Sequence, residues 1–167
     1  ESTADVKGTA AAFYIGYYGR APEPGGFTYW TSEVQTKADN GEAVFDIAEN
    51  LSARFRDEAE TKGLYPFLDR DAGTVATDTQ ADTFVTDVYQ NLFNRNPEQA
   101  GLDFWSDQVV DRVNAGDSIA DIIITIMDGA GGEDAVTVGN KIKVAVAYGD
   151  AFTPEQFASD QASLPDI

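Results

Sequence analysis

Two arginine–glutamate pairs with the same spacing are the side chains of this sequence best placed to do chemistry. Arg20 stands three residues before Glu23, and Arg95 stands three residues before Glu98. Such a pair could clamp a ligand or act in general acid–base catalysis. A pair repeated in both halves is better explained by the fold, with the glutamate at a helix start and the arginine reaching it or the preceding helix's last carbonyls. We therefore predict a structural role.

Few other residues of the sequence could act in catalysis. The chain has no histidine and no cysteine, which removes the commonest general base and every thiol nucleophile. Paired carboxylates, as in a glycan hydrolase, remain a weaker alternative, because 29 acidic residues make such pairs inevitable. We predict a non-enzymatic protein and assign no catalytic residue.

Two acidic stretches could hold calcium, the one metal ion that the composition favours. Calcium prefers six to eight oxygen ligands on a flexible loop, and both stretches combine carboxylates with glycine. Neither has the spacing of an EF-hand, and helix caps or solvated turns explain the same residues. The candidate ligands are Asp69, Asp71 and Asp78 in one stretch and Asp128, Glu133 and Asp134 in the other.

Aromatic residues concentrate in the first half and form the second candidate surface. Aromatic rings beside polar groups suit sugar rings or a protein partner, although they more often belong to a core. The tyrosines Tyr17, Tyr18 and Tyr29 are replaced in the second half by Leu92, Phe93 and Phe104, which indicates that at least some of these extra hydroxyls reach solvent. We predict these three tyrosines as ligand-binding residues. Phe27, Tyr65 and Phe67 belong to the same concentration.

The charge balance restricts the partners. Eleven basic against 29 acidic residues give a net charge of −18, which repels nucleic acid and anionic lipid headgroups. No apolar stretch approaches the roughly 18 residues that would cross a bilayer. We expect an extracellular or cell-surface setting, either because the acids keep the protein soluble in a salty medium or because they bind divalent cations. The oligomeric state stays open.

An internal repeat determines the predicted architecture. Shifting the chain by 75 residues aligns residues 14–52 with 89–127 without a gap, and 10 of those 39 positions are identical. The identities include residues with demanding backbone or packing roles, so the sequence predicts a duplication. The repeated motif consists of Arg20, Pro22, Glu23, Gly26 and Trp30 in the first copy and Arg95, Pro97, Glu98, Gly101 and Trp105 in the second.

The periodicity within each copy is helical. Proline ends the first helix, a second helix carries the tryptophan, and glycine at 41 or 116 ends it. The isoleucine-rich run 119–126 has helical spacing despite its β propensity. We predict an all-α fold of two pseudo-repeats with about three helices each, plus C-terminal helices over 134–152 and after Thr153. The segments are a first repeat (1–64), a linker (65–82) and a second repeat with the C-terminal helices (83–167), packed as one compact domain.

The repeated motif resembles bacterial domain-of-unknown-function family 4214, whose hallmark is Leu-Tyr-x3-Leu-Gly-Arg-x-Pro-Asp-x2-Gly-x2-Tyr-Trp. Glutamate replaces the usual aspartate at Glu23 and Glu98, Asn94 replaces glycine, and Phe104 replaces tyrosine. The resemblance extends over nearly the whole chain. The matching residues are Tyr14, Gly19, Arg20, Pro22, Gly26, Tyr29 and Trp30, then Tyr89, Leu92, Arg95, Pro97, Gly101, Phe104 and Trp105.

The resemblance implies attachment or assembly rather than catalysis. Domains of this family occur in large secreted bacterial proteins, in type I secretion substrates and in regions similar to the cell-anchoring part of surface-layer proteins. We therefore expect an extracellular attachment or assembly module that binds cell-surface polysaccharide or a protein partner. The alternative is a calcium-dependent structural spacer of a secreted protein.

Overall fold

The described part of the chain consists of helices joined by turns and loops, with no strand. The computed structural model describes residues 3–69, 73–117 and 119–151, and the all-α prediction is confirmed there. A short 3-10 turn, Pro66–Leu68, follows the fourth helix. The helices of the described ranges are α1 (Thr3–Tyr18), α2 (Pro24–Asp39), α3 (Val44–Asp57), α4 (Ala59–Leu64), α5 (Asp78–Phe93), α6 (Gln99–Ala115), α7 (Ala120–Asp128) and α8 (Gly132–Ala151).

The helices of the two copies have matching boundaries. Helix α5 ends 75 residues after α1, at Phe93 and Tyr18, and α6 begins 75 residues after α2, at Gln99 and Pro24. The isoleucine-rich segment forms helix α7, as its spacing predicts. Each copy also has a fourth helix, α4 in the first and α8 in the second, although the sequences of the two copies diverge after the third helix. The repeat therefore extends further in structure than in sequence identity.

The turns between helices follow from residue chemistry. Gly41 and Gly116 have φ of 80° and 78°, left-handed values that cost glycine little, and the second helix of each copy ends just before them. Pro22 and Pro97 lie in the loops before α2 and α6, where their lack of an N–H is harmless. The predicted helix–loop–helix corner is thus present in both copies.

Helix α5 begins inside the segment predicted as linker 65–82. Thr77 caps it: the Thr77 hydroxyl accepts from the Gln80 backbone N–H at 3.4 Å, while the Gln80 side chain accepts from the Thr77 N–H at 3.1 Å. The start of the same segment is also structured, because Tyr65, Phe67 and Leu68 are buried. The extended connection is therefore shorter than the composition indicates.

Both copies contribute to one hydrophobic core. Helix α1 packs against α5, and α3 packs against α7, so that equivalent helices face each other. The Asn91 side-chain amide donates to the Gly16 carbonyl at 3.1 Å, and these two positions are themselves 75 residues apart. A Cβ on Gly16 would lie 2.8 Å from the Ile123 side chain, so the helices approach closely there. In the part of the chain that the structure describes, every buried hydrophobic residue except Ala12 belongs to a single cluster.

Helix α8 crosses both copies and contacts α1, α2 and α5. Val138 and Ala145 are buried and Ile142 is partly buried, as the helical spacing predicts, whereas Tyr148 is 40% exposed although the same spacing places it inward. The Lys141 ammonium donates to the Asn91 carbonyl at 2.6 Å, near the carboxyl end of α5. The helix predicted after Thr153 lies outside the described residues.

Candidate functional site

The motif arginine of each copy connects the loop before the second helix to the start of the fourth. The Arg20 guanidinium donates to Glu23 at 2.6 Å and binds Glu60 of α4 through two bonds of 3.2 and 2.6 Å. The Arg95 guanidinium binds Asp134 of α8 in the same two-bond manner, at 2.9 and 2.6 Å. Bidentate arginine–carboxylate pairs hold a fixed geometry, so both arginines act as staples within their copy.

The two arginines differ in their bonding to the motif glutamate. Arg20 binds Glu23, as expected, but in the described part of the chain Arg95 has no hydrogen bond to Glu98. Neither Glu23 nor Glu98 caps its helix with a side-chain hydrogen bond, although each is the N-cap residue. The sequence did not predict Asp134 and Glu60 as partners of the arginines, because they lie 39 residues from Arg95 and 40 residues from Arg20.

The other motif residues differ in burial between the copies. Trp30 is buried, whereas Trp105 is partly exposed. A Cβ on Gly26 would lie 2.1 Å from the Tyr14 hydroxyl, which explains the glycine there. At Gly101 the equivalent tyrosine, Tyr89, would lie 3.7 Å away, an ordinary contact. The first copy is therefore packed more tightly around its motif.

The ion pairs alter the acid–base behaviour of the motif. Burial raises the pKa of the Glu23 carboxyl, but the hydrogen bond from Arg20 and a backbone bond outweigh it, so the net pKa is lowered. The bond from Arg95 likewise holds the pKa of Asp134 below its ordinary value. Burial raises the pKa of the Tyr18 hydroxyl to about 12, and the Glu60 and Glu58 carboxylates add to the rise. The Glu23 and Asp134 carboxylates are therefore charged and the Tyr18 phenol is neutral at pH 7.

Replacing Asp134 with asparagine is expected to lower the free energy of unfolding at pH 7 by about 0.5 kcal/mol, as for a partly exposed ion pair. Because the folded-state pKa of Asp134 is depressed, its stabilisation is present above the unfolded pKa of about 3.9 and is lost as pH falls through the folded pKa. Urea unfolding of the wild type and D134N from pH 7 to pH 2 measures this. Asp107→Asn, on the exposed face of α6, is the control. A D134N deficit that is unchanged at pH 2 would contradict the pairing.

The three predicted ligand-binding tyrosines have different environments. Tyr17 is 1% exposed and its hydroxyl bonds with Ser52, so the structure places this predicted ligand-binding residue in the core, away from the surface. Tyr18 is partly buried, with its hydroxyl 3.0 Å from that of Thr61. Tyr29 is 49% exposed, and Arg54 donates to its hydroxyl. Phe27, Tyr65 and Phe67 are buried.

Tyr18 and Tyr29 meet at one cavity of about 240 Å³ in the first copy. Its walls combine aromatic rings with carboxylates, and it lies beside the Arg20 staple. Two arginines cover rings of the same group: Arg20 lies 5.3 Å from the Tyr14 ring centre, and Arg54 lies 5.0 Å from that of Trp30. The aromatic lining residues are Tyr14, Tyr18, Tyr29, Trp30 and Phe55, and the acidic ones are Glu23, Glu58 and Glu60.

The sequence of the second copy lacks parts of this cavity. Seventy-five residues after Phe55 and Arg54, the chain has Ala130 and Gly129. Phe55 is 1% exposed and its ring centre lies 4.5 Å from that of Trp30, so it forms the floor of the aromatic group. Sequence comparison of the copies could have singled out Phe55 and Arg54, since both lie just beyond the aligned segment.

The acids predicted as calcium ligands are mostly engaged with cations of the protein or exposed singly. Asp69 pairs with Lys62 at 3.0 Å, and Asp134 pairs with Arg95. Asp78, Asp128 and Glu133 are exposed at helix ends, and Asp71 lies outside the described residues. Among the residues that the structure describes, no group of three or more acids is arranged to hold a metal ion.

In the described ranges, every helix is too short or too polar to cross a bilayer.

Residues 68–128 match the family described as a domain of unknown function (DUF4214). This match covers α5, α6 and α7 with the second motif, a narrower range than the resemblance over nearly the whole chain. No curated protein and no solved structure matches the chain.

Proposed function

We propose from the geometry that this chain is a non-enzymatic attachment module that binds cell-surface polysaccharide outside the cell. The family that residues 68–128 match is itself of unknown function. The observation that carries the proposal is the aromatic, carboxylate-lined cavity of the first copy. Tyr29 at its edge is half-exposed and packs edge-on against the buried Trp30 at 5.1 Å. A rigid, partly exposed ring supported from behind is a good platform for a ligand.

The lining chemistry suits a sugar. Apolar faces of a sugar ring stack on aromatic side chains, while its hydroxyls need hydrogen-bond acceptors such as carboxylates. The cavity, about 240 Å³, is smaller than the roughly 300–1,000 Å³ of sites for drug-sized ligands, so it suits one monosaccharide unit of a longer chain. A flat protein interface would instead bury a wider surface.

The state of the acids supports binding without turnover. A glycan hydrolase needs a carboxyl whose pKa is raised so that it can donate a proton to the leaving group. The net pKa of Glu23 is lowered instead, and Glu60 is held in two bonds by Arg20. Both acids are better suited to hold structure and accept hydrogen bonds. Release of reducing sugar from a labelled glycan panel would contradict this part of the proposal.

The acidic surface supports a role outside the cell and limits the ligands. With a net charge of −18, the chain repels nucleic acid and acidic polymers. The calcium-dependent spacer remains the rival proposal. A melting temperature that rises with calcium well beyond its response to magnesium would favour the spacer, because an ion that binds the native state stabilises it.

Tyr29→Ala is expected to weaken binding of a recognised oligosaccharide by about fivefold, the effect of removing one exposed aromatic contact. Isothermal titration with a panel of neutral, ammonium-bearing and acidic oligosaccharides measures the affinity. Phe104→Ala is the matched control, since Phe104 is 75 residues further on, is 55% exposed and packs edge-on against Trp105 at 4.9 Å. Absence of binding to the whole panel, or an equal loss in both variants, would refute a polysaccharide site at this cavity.

A further inference from the structure

The cavity of the first copy contains one carboxylate that the protein leaves without a cation. Arg20 binds both Glu23 and Glu60. Glu58 lines the same cavity, and within the described ranges its carboxylate has no hydrogen bond or ion pair. The rings of Tyr14, Tyr18, Tyr29, Trp30 and Phe55 line the same cavity, so this carboxylate lies beside the aromatic wall. An acceptor with free oxygens beside aromatic rings is available to a ligand.

The charge around this cavity is negative. A second guanidinium, that of Arg54, lies nearby and forms an ion pair with Glu33. The four carboxylates Glu23, Glu33, Glu58 and Glu60 against the two guanidinium groups of Arg20 and Arg54 leave a formal charge of −2. A cavity with low-dielectric aromatic walls focuses such a charge and favours cations. It disfavours sugars that carry carboxylate, sulfate or phosphate.

The aromatic rings strengthen the same preference. Their faces are electron-rich and attract cations by about 0.5–2 kcal/mol. Guanidinium groups of the protein lie over one face of two of these rings, with Arg20 5.4 Å from the Tyr18 ring centre and Arg54 5.6 Å from that of Tyr29, and Tyr29 is still 49% exposed to a ligand. An ammonium group of a ligand would meet rings and an unpaired carboxylate together, which is the combination that best replaces its hydration.

Resting on the proposed polysaccharide-binding function, we infer that the cavity selects amino sugars with a free ammonium group over their N-acetylated forms, with Glu58 as the partner of the ammonium. N-acetylation removes the charge and adds bulk. The preference belongs to the first copy: Glu133 stands 75 residues after Glu58, but the second copy has Ala130 where the first has the aromatic floor, Phe55.

The test compares hexamers of glucosamine and of N-acetylglucosamine by isothermal titration against the full chain. We expect the glucosamine hexamer to bind at least about fivefold more tightly, and Glu58→Gln to remove that advantage while leaving the affinity for the N-acetylated hexamer unchanged. Glu133→Gln, at the equivalent exposed position, is the control for general attraction to an acidic protein. Thermal melting verifies that both variants are folded.

The outcomes separate this inference from the function on which it rests. Equal binding of the two hexamers, with sensitivity to Tyr29→Ala, would overturn the ammonium preference and leave polysaccharide binding intact. An equal loss in E58Q and E133Q would overturn the role of Glu58 and indicate non-specific attraction. Tighter, Glu58-dependent binding of a lysine hexamer would overturn the sugar as ligand and indicate a basic protein partner.

Discussion

Replacing Phe55 with alanine is expected to lower the free energy of unfolding by about 3–5 kcal/mol, the cost of deleting a fully buried aromatic side chain. Phe55 is 1% exposed, and its ring contacts those of Phe13, Tyr14, Tyr17 and Trp30 at centre distances between 4.5 and 6.0 Å. Its removal leaves a cavity at the junction of α1, α2 and α3 that these rigid rings cannot fill. Chemical denaturation followed by tryptophan fluorescence measures the loss.

The control for Phe55 is Leu64→Ala, because Leu64 is 54% exposed on α4 in the same copy. A surface substitution of this kind changes the stability by at most about 0.5 kcal/mol. A Phe55→Ala deficit below about 1 kcal/mol would show that the aromatic group is not a rigid part of the core. Phe55→Leu, which retains more volume, should keep the fold and allow its ligand affinity to be measured.

Replacing Gly149 with alanine is expected to lower the free energy of unfolding by about 2 kcal/mol, although alanine is the better helix former. Gly149 is buried in α8, and a Cβ there would lie 2.4, 2.7 and 2.8 Å from three atoms of the Phe27 ring. Phe27 is only 3% exposed, so its ring cannot turn away without displacing the core. The close approach of α8 to α2 therefore requires glycine.

Gly139→Ala in the same helix is the matched control, since nothing lies within 4 Å of the Cβ that it would add. It should raise the stability by up to about 1 kcal/mol, through helix propensity alone. Thermal and urea unfolding of the two variants separate these effects. Equal stabilisation by both substitutions would contradict the packing of α8 against Phe27.

The sequence predicted the corners of the fold because those depend on local chemistry. Proline at 22 and 97, glycine at 41 and 116, and helical spacing in the isoleucine run each act within a few residues, and each has the predicted effect. The cap at Thr77 was available to the same kind of reasoning, through the Gln80 three residues later. The linker was overestimated because its composition masks that signal and the burial of Tyr65.

The candidate site was only half predictable. Tyr17 and Tyr18 are adjacent, and spacing alone cannot decide which of them the next helices will cover; α3 buries Tyr17 through Ser52, while Tyr18 faces the cavity. Of the predicted tyrosines, Tyr18 and Tyr29 line the cavity. Glu58 and Glu60 carried no sequence signal, because in an acidic chain single glutamates are unremarkable.

The sequence by itself determined a helical duplication with a repeated arginine, proline, glycine and tryptophan corner, since helix periodicity and turn preferences are properties of neighbouring residues. Only the tertiary structure decided what the arginines bind, because Glu60 and Asp134 reach them across about 40 residues of chain. It also decided that one copy has an aromatic cavity with an unpaired carboxylate. Such a cavity depends on which side chains four helices, α1 to α4, bring together, and that arrangement arises from long-range packing that no local pattern encodes.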